Sequence, residues 1–593
     1  MRGYLSIWVV STALACAVAY AYATLSLAPL PDAASARFAY AALAAARRGE
    51  SLPAPPDSAR RYHADSIFVT AYVAGERRAR HVGAGSLAEV VLTAARRFAA
   101  DPALPAASEA APGRRDPVLF RVAVTRGGGP LLSLIPGLSL FSLVPLRDGV
   151  MARRASVTAY LTPDDLVENA ATDQAVSGIV PDLSFGTSLA AVRELLAAEL
   201  GQQPPLDPSW QLRRLRVETL VESGDDTAHV DQQTLRRAAR DGVRFVLRHQ
   251  ATSGRFTYIY DAARDRELPG PAYNLARHAG TMFFLARAAK QLGLPEARAG
   301  ALRGLSFLRD NALMTCGGAD RLCIDQGERV EFGASALAAL ACAEILRSGD
   351  NPDARRLLTG LVAFLLAQQR PDGEMMHEYS RQREAPVDVQ RMYYSGEAAM
   401  ALLHAYEQLG DAGHLRAAAG LMSHLTGAGW RFFGARYYYG EEHWTCQAVA
   451  KAAEHMQVDA ALDFCLRWGR WQEHLQYPAG VTPWPVEGAF GVGPVLLPRA
   501  TMAASRVEAL VPLYRELVRR GQAVQSTRVL IERSLGFLLR TRWAPGPVHL
   551  FGNPSAAFGG MPSTGAELRS RVDMVQHTGS AFLAWADALS LGY

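Results

Sequence analysis

The chain has 593 residues, 49% of them hydrophobic, and carries a formal net charge of only +5. That length and composition suit a globular protein of two or three domains, and a small charge without basic runs argues against a nucleic-acid partner. Of the 62 basic residues only Lys290 and Lys451 are lysine, both toward the far ends of helical segments, which argues against Schiff-base or pyridoxal-phosphate chemistry; no cofactor is expected.

The chain starts Met-Arg-Gly-Tyr and runs into a nearly uncharged apolar stretch, Leu5 to Leu30. One early arginine, an apolar core and Ala21-Tyr22-Ala23 predict a signal peptide cleaved after Ala23. The stretch is also long enough to be an uncleaved membrane anchor. Ala-Leu-Ala-Cys16 resembles a lipoprotein cleavage site with its leucine one position out of place. All three readings put the protein in the periplasm or outside the cell, with the membrane as a partner through this segment. Residues 31–61, rich in Pro, Ala and Arg, read as a tether with one short helix.

Residues 62–222 read as an α+β domain. Ile67–Val73 alternates like a strand and ends in the turn Ala74-Gly75-Glu76; a helix follows across Leu87–Ala100. Val118–Thr125 and Val150–Thr158 are strand-like, Gly127-Gly-Gly129 reads as a loop, and Leu189–Leu200 as a last helix before Pro204-Pro205. The order of these elements, with Ala-Ala-Asp101-Pro102, Leu104-Pro105, Leu-Arg-Asp148-Gly149-Val150 and Ala159-Tyr-Leu161-Thr-Pro163, resembles the AMMECR1 family over about 130 residues. The family's Arg-Gly-Cys-Ile-Gly signature falls at Ala79-Arg80-His81-Val82-Gly83, where the cysteine is missing. The resemblance implies a supportive or ligand-binding domain.

From Asp231 to Tyr593 apolar residues recur at helical spacing in twelve segments: 232–250, 273–292, 295–311, 332–348, 352–369, 393–410, 412–426, 441–456, 458–474, 499–520, 525–541 and 571–590. Short joints such as Gly293-Leu-Pro295 follow the even-numbered segments, and long Gly-, Pro- and aromatic-rich loops follow the odd-numbered ones. Short joints make antiparallel neighbours, and long loops on one side only gather at one end. The prediction for 231–593 is therefore an all-α (α/α)6 toroid of six hairpins, with the even-numbered helices inside. Among the cysteines, Cys316 and Cys323 are spaced for a disulfide in an oxidising compartment. Cys342, Cys446 and Cys465 read as single core fillers. No CxxC or HExxH run appears, so no metal site is expected.

Gln250-Ala-Thr-Ser-Gly254-Arg-Phe256 and Gln369-Arg-Pro-Asp372-Gly373-Glu-Met375 both end outer segments. This Gln-x-x-x-Gly-x-apolar pattern resembles the turn element of terpene cyclases, prenyltransferases and many toroidal glycosidases and lyases. The Asp-x-Asp-Asp of terpene cyclases and the zinc ligands of lanthionine cyclases are absent from this region. What remains is the carbohydrate-active branch, including unsaturated-glucuronyl hydrolases and glucuronyl C5-epimerases, which the chain resembles in architecture rather than by a signature motif.

The even-numbered segments open on conspicuous residues: Tyr273-Asn274 with Arg277-His278, Glu331, Tyr393-Tyr394 with Glu397, Glu441-Glu442-His443-Trp444, Arg499, and Asp573 with Gln576-His577. Helix starts offer free N–H groups and positive dipole ends, so their convergence predicts a pocket for a polar ligand. Sugar chemistry commonly needs a carboxylic acid kept protonated by its surroundings. Glu397, beside two tyrosines, is the candidate acid; His443 or His278 is the candidate base, with Glu442 a further catalytic candidate. Tyr258, Tyr260, Trp444, Trp430 and Trp484 offer sugar-stacking faces, and Arg277 a bidentate hold on a carboxylate or sulfate. Asn274, Glu331, Tyr394 and His577 complete the expected binding set. Asp372-Gly373 reads as a plain turn.

The implied function is an exported envelope protein whose toroid binds and modifies a bacterial polysaccharide or oligosaccharide, as a hydrolase, lyase or epimerase. Two alternatives stand beside it: a non-catalytic glycan-binding or assembly subunit of an envelope protein complex, and an enzyme acting on a peptide or isoprenoid-linked precursor.

Overall fold

The computed structural model describes residues 27–105, 117–131, 143–172, 187–220, 229–268, 273–325, 327–427, 443–478, 486–491, 497–544 and 548–593. Most of the expected leader lies outside these residues; among them no helix is long and apolar enough to cross a membrane.

In the N-terminal half, α1 (Ala33–Arg47) and α2 (Asp57–Arg61) precede β1 (His63–Val73) and β2 (Glu76–Ser86). Then come α3 (Leu87–Ala99), β3 (Val118–Pro130), β4 (Asp148–Arg154), β5 (Val157–Leu161), α4 (Pro163–Glu168), α5 (Leu189–Glu199) and β6 (Gln211–Thr219). The strands form one antiparallel sheet in the order β2–β1–β3–β6–β4–β5. Alternation along β1 decides which face is which. Ile67, Val69 and Ala71 bury against α1 and α3, while Tyr72 packs on Leu550 and Leu497 of the C-terminal half.

Three readings of this half change, and two further strands appear. Residues 31–61 are not simply a tether, because α1 belongs to the core: Asp32 caps it by accepting from Ser35 N at 2.8 Å, and Phe38, Ala39 and Leu43 bury in the cluster around α3. Its buried face is largely alanine, which hid the amphipathic pattern. Gly127–Gly129 are not a loop but lie within β3, paired with Arg216, Leu215 and Arg214. A Cβ at Gly128 would stand 2.6 Å from the Arg214 carbonyl oxygen. Val150–Thr158 is not one strand but a hairpin, turning at Ala155-Ser156. Finally, β2 and β6 are too rich in arginine to read as strands, and the structure supplies their counter-charges: Arg77 and Arg80 pair with Asp165, Arg214 and Arg216 with Asp148.

The C-terminal half opens with α6 (Gln232–Arg248), β7 (Ile259–Asp261), β8 (Arg266–Glu267), α7 (Leu275–Leu292), α8 (Pro295–Asn311), β9 (Leu313–Thr315) and β10 (Leu322–Ile324). Next are β11 (Arg329–Glu331), α9 (Phe332–Arg347), α10 (Pro352–Ala367), β12 (Glu378–Ser380), β13 (Ala385–Val387), α11 (Tyr394–Leu409) and α12 (Ala412–Thr426). The last are α13 (His443–Ala452), α14 (Asp459–Leu475), α15 (Ala500–Arg519), α16 (Gln525–Thr541), α17 (Pro554–Ala557), β14 (Arg569–Arg571) and α18 (Val572–Ser590). The helices α7, α9, α11, α13, α15 and α18 pack each on the next, and α18 returns to α7, closing a ring. The partners α6, α8, α10, α12, α14 and α16 lie outside it, giving the (α/α)6 toroid. Composition follows position: every residue of α9 from Phe332 to Leu346 is buried, whereas α10 buries one face.

The Gln–Gly turns staple neighbouring outer helices together. Gln250 Nε2 donates to Gly254 O at 3.1 Å and to Gly300 O of α8 at 2.9 Å. Gln369 Nε2 repeats this on Gly373 O at 3.1 Å and Ala417 O of α12 at 2.9 Å. Gly254 and Gly373 both hold φ of 91°, and a Cβ at either would lie 2.0 or 2.4 Å from a carbonyl oxygen of the next helix; only glycine fits. The sequence hides a third copy behind a longer insertion: Gln476 Nε2 bonds Gly488 O and Leu530 O of α16, and Gln476 bridges Phe490.

Cys316 and Cys323 are bonded, with Cα atoms 6.0 Å apart. Cys446 and Cys465, expected to be single core fillers, form a second disulfide that ties inner α13 to outer α14. The helical periods put both on facing sides, but which helix faces which is not readable from one segment. Cys342 is buried and free.

Candidate active site at one mouth of the ring

All six inner helices begin at the same end, so their first turns share one mouth. On α18, Asp573 accepts from Arg571 Nε of β14 at 2.7 Å and pairs with Arg277 Nε of α7 at 2.9 Å. Arg277 also donates to the Tyr258 hydroxyl and lies 5.6 Å from that ring's centroid. Burial alone would raise the Asp573 carboxyl, but Arg571 and Arg277 outweigh it and hold the pKa low. One turn on, His577 Nδ1–H donates to Glu508 Oε2 of α15 at 2.7 Å. Burial disfavours the imidazolium, yet Glu508, with Asp573 behind it, holds the pKa above the ordinary imidazole value. The His577 ring lies 6.0 Å from that of His443 and 6.4 Å from Trp444, both in the first turn of α13. His443 in turn faces Tyr393 at 6.0 Å.

Glu397 stands one turn into α11. It is 6% exposed, and Oε2 has no hydrogen-bond partner among the described residues. Burial without compensation pushes its carboxyl up to about 8, so it is a neutral acid at pH 7. Gly333 makes room for it: a Cβ there would lie 2.9 Å from Glu397 Oε2 and 2.4 Å from the Tyr394 ring. The Tyr394 hydroxyl donates to Glu331 Oε2 at 3.0 Å, and its pKa is raised by burial and by the two carboxylates.

Several expected site residues are elsewhere or otherwise engaged. His278 faces the outer ring: Nε2–H donates to Gly304 O of α8 at 2.9 Å, and Nδ1 accepts from the Tyr273 hydroxyl at 2.7 Å. Both nitrogens are committed and burial lowers its pKa to about 4, so it is no base for the mouth. The reason is helical geometry: neighbours Arg277 and His278 point about 100° apart, so one facing inward sends the other away. Tyr260 also faces outward, donating to Asp265 at 2.6 Å and packing on Phe245 and His249. Asn274 is the cap of α7, accepting from Arg277 N at 2.9 Å. Glu441, Glu442, Trp430 and Trp484 lie outside the described residues. Asp372 is an exposed turn residue paired with Arg370. Glu508, which sequence reading passed over, sits mid-helix; the available signal was a lone acid in the buried run Val507–Val511.

A serine, an imidazole and a carboxylate also meet below the rim, but not as a catalytic triad. Arg391 N donates to His377 Nδ1 at 2.6 Å, which fixes the proton on Nε2; Nε2–H then donates to Ser395 Oγ at 2.7 Å, and Ser395 donates to Glu374. Burial lowers His377 to about 3, so it takes no proton from the serine. At the far mouth, Glu407, Glu454 and His455 are close enough to share a cation. Lys451 Nζ already sits on the two carboxylates at 2.5 and 2.7 Å.

In sequence, the chain matches no family model and no curated protein, so the AMMECR1 resemblance of the N-terminal half has no counterpart there. In structure it is similar to a D-mannose isomerase, at 12% identity over 61% of this chain and 99% of that one, with a TM-score of 0.47. It is similar to cellobiose 2-epimerase from Bacillus thermoamylovorans, at 11% identity over 60% and 100% of the two chains and a TM-score of 0.45. A family 76 glycoside hydrolase from a bovine Bacteroides thetaiotaomicron strain aligns at 9% identity over 79% of this chain and 96% of that one, with a TM-score of 0.45. At such identities and scores, none of them transfers a substrate or a residue role.

Proposed function

We propose that this protein is an exported enzyme that modifies a bacterial glycan by acid–base chemistry at the mouth of its toroid. The observation that carries the reading is Glu397: a carboxyl buried at a helix start, its pKa pushed up to about 8, with one oxygen that has no partner among the described residues. A neutral acid in that position is suited to protonate a glycosidic or ring oxygen. His577, whose pKa Glu508 raises above the ordinary imidazole value, is a second candidate proton source, and His443 beside it is the acceptor candidate. Arg277 and Asp573 form a paired donor and acceptor for sugar hydroxyls or a uronate carboxylate, while Tyr258, Tyr393 and Trp444 supply ring faces. The reaction is of the hydrolase, lyase or epimerase type.

Export rests on the apolar stretch from Leu5 and on two disulfides. Thiol labelling of unreduced protein from the envelope should leave all four of Cys316, Cys323, Cys446 and Cys465 unmodified. Labelling of those four would put the protein in a reducing compartment. The chemical reading is tested by soaking crystals with envelope oligosaccharides: a sugar ring between Arg277 and Glu397 supports it, and ligand only elsewhere on the molecule rejects it. A bound sugar together with undiminished function after Glu397→Gln would assign the protein as a glycan-binding subunit instead.

A further inference from the structure

Away from the ring axis, beside the C-terminal end of α16, the N-terminal sheet and the toroid enclose a separate cavity of about 260 Å³. Arg121 and Asp164 line it from the sheet side; Arg540, Trp543, His549 and Phe551 line it from the toroid. Domain seams of this kind are favoured places for small ligands.

Its polar groups are mostly donors. Asp164 Oδ2 is engaged twice, accepting from Arg121 Nε at 3.0 Å and from His549 Nε2 at 3.1 Å. Arg121 spends only Nε in this way, so both its Nη groups are without an acceptor among the described residues. Arg540 gives one Nη to the Glu487 carbonyl at 2.6 Å and has no carboxylate ion pair among the described residues. Glu567, also on the wall, accepts from Ser563 N, and Arg542 is matched by Asp241. Two guanidinium groups thus keep N–H donors without an acceptor among the described residues, beside two carboxylates, Asp164 and Glu567, that already accept hydrogen bonds. The toroid side also brings an aromatic face: Trp543 and Phe551 pack with ring centroids 5.1 Å apart.

We propose that this interdomain cavity binds a small organic anion, with its carboxylate or phosphate on Arg121 and Arg540 and its apolar body against Trp543 and Phe551. Planar oxyanions suit guanidinium donors because two parallel N–H bonds form at once. The cavity wall at Thr564 and Leu568 runs directly into β14, which presents Arg571 to Asp573. An occupant therefore touches the loop that leads to the toroid mouth.

The test is titration calorimetry of the full-length protein with benzoate and, separately, with inorganic phosphate. Saturable binding of either anion, weakened at least tenfold by Arg540→Gln and by Arg121→Gln, is the expected result. Tighter binding of benzoate identifies a carboxylate with a ring body; tighter binding of phosphate identifies a phosphate head group. No saturable binding of either anion, or binding unchanged in Arg540→Gln, overturns the proposal. Arg540 is exposed, so that variant decides the question even if Arg121→Gln fails to fold.

Discussion

Glu374 and Glu397 are both acids buried near the same end of the toroid, yet their surroundings differ in kind. Glu374 accepts from Met375 N at 2.8 Å and from Ser395 Oγ, and pairs with His424 Nε2 at 3.2 Å. Glu397 has an oxygen with no partner among the described residues and is pushed up to about 8. Burial is common to both, so burial alone does not mark a reactive group. What separates them is whether the surroundings satisfy the charge. The imidazoles divide in the same way. His278 and His377 have both nitrogens engaged and lowered pKa values, whereas His577 at the mouth has its pKa raised by Glu508.

The contrast is broken most sharply by exchanging each acid for its amide. Glu397→Gln removes a proton donor without removing a hydrogen bond from Oε2. Turnover should fall by about 10³-fold, within the range of general acid catalysis, while the melting temperature at pH 6 changes little. A collapse in melting temperature would make Glu397 structural. Glu374→Gln should do the reverse: it replaces the charged acceptor shared by Ser395, Met375 and His424 with a neutral amide, at a cost of about 1–3 kcal/mol in denaturant-measured stability. If Glu374→Gln proves neutral, the buried network holds nothing together.

Acidity gives a finer test. The Glu397 pKa is raised on folding, so between about 4.5 and about 8 the folded state keeps a proton that the unfolded state has released. Stability must then fall as pH rises through that window, by at most about 1.4 kcal/mol per pH unit. His577, also raised, adds in the same direction: its stabilisation is complete below the unfolded imidazole value and is lost as pH passes the folded one. Glu397→Gln should flatten the slope and end more stable than the wild type above pH 8. An unchanged slope would mean that Glu397 is not the titrating group. The smallest effect is expected from Arg277→Ala, which should raise KM for a uronate substrate about tenfold, roughly 1.4 kcal/mol, and leave kcat nearly unchanged.

The ring was legible because each inner helix carries its own period and the joints alternate short and long, so six hairpins follow from local pattern. The N-terminal sheet was only half legible. β2 and β6 hide behind arginines that make sense only once Asp148 and Asp165 face them. At the mouth, the sequence marked helix starts but not helix faces. It named Glu397, His443 and His577 alongside His278, because the outward turn of His278 depends on where α8 brings the Gly304 carbonyl. The Cys446–Cys465 bond and the Glu508–His577 pair were missed for the same reason: both join residues on different helices.

The most direct test is the pH dependence of turnover, followed by NMR in D₂O, for wild type and Glu397→Gln on acidic and neutral bacterial oligosaccharides. Deuterium appearing at a sugar carbon separates epimerisation from hydrolysis, and an unsaturated product identifies elimination. The account predicts that the wild type converts at least one glycan, with activity falling on an alkaline limb near pH 8, and that Glu397→Gln is inactive throughout. Conversion by Glu397→Gln at the wild-type rate, with the same alkaline limb, would contradict it.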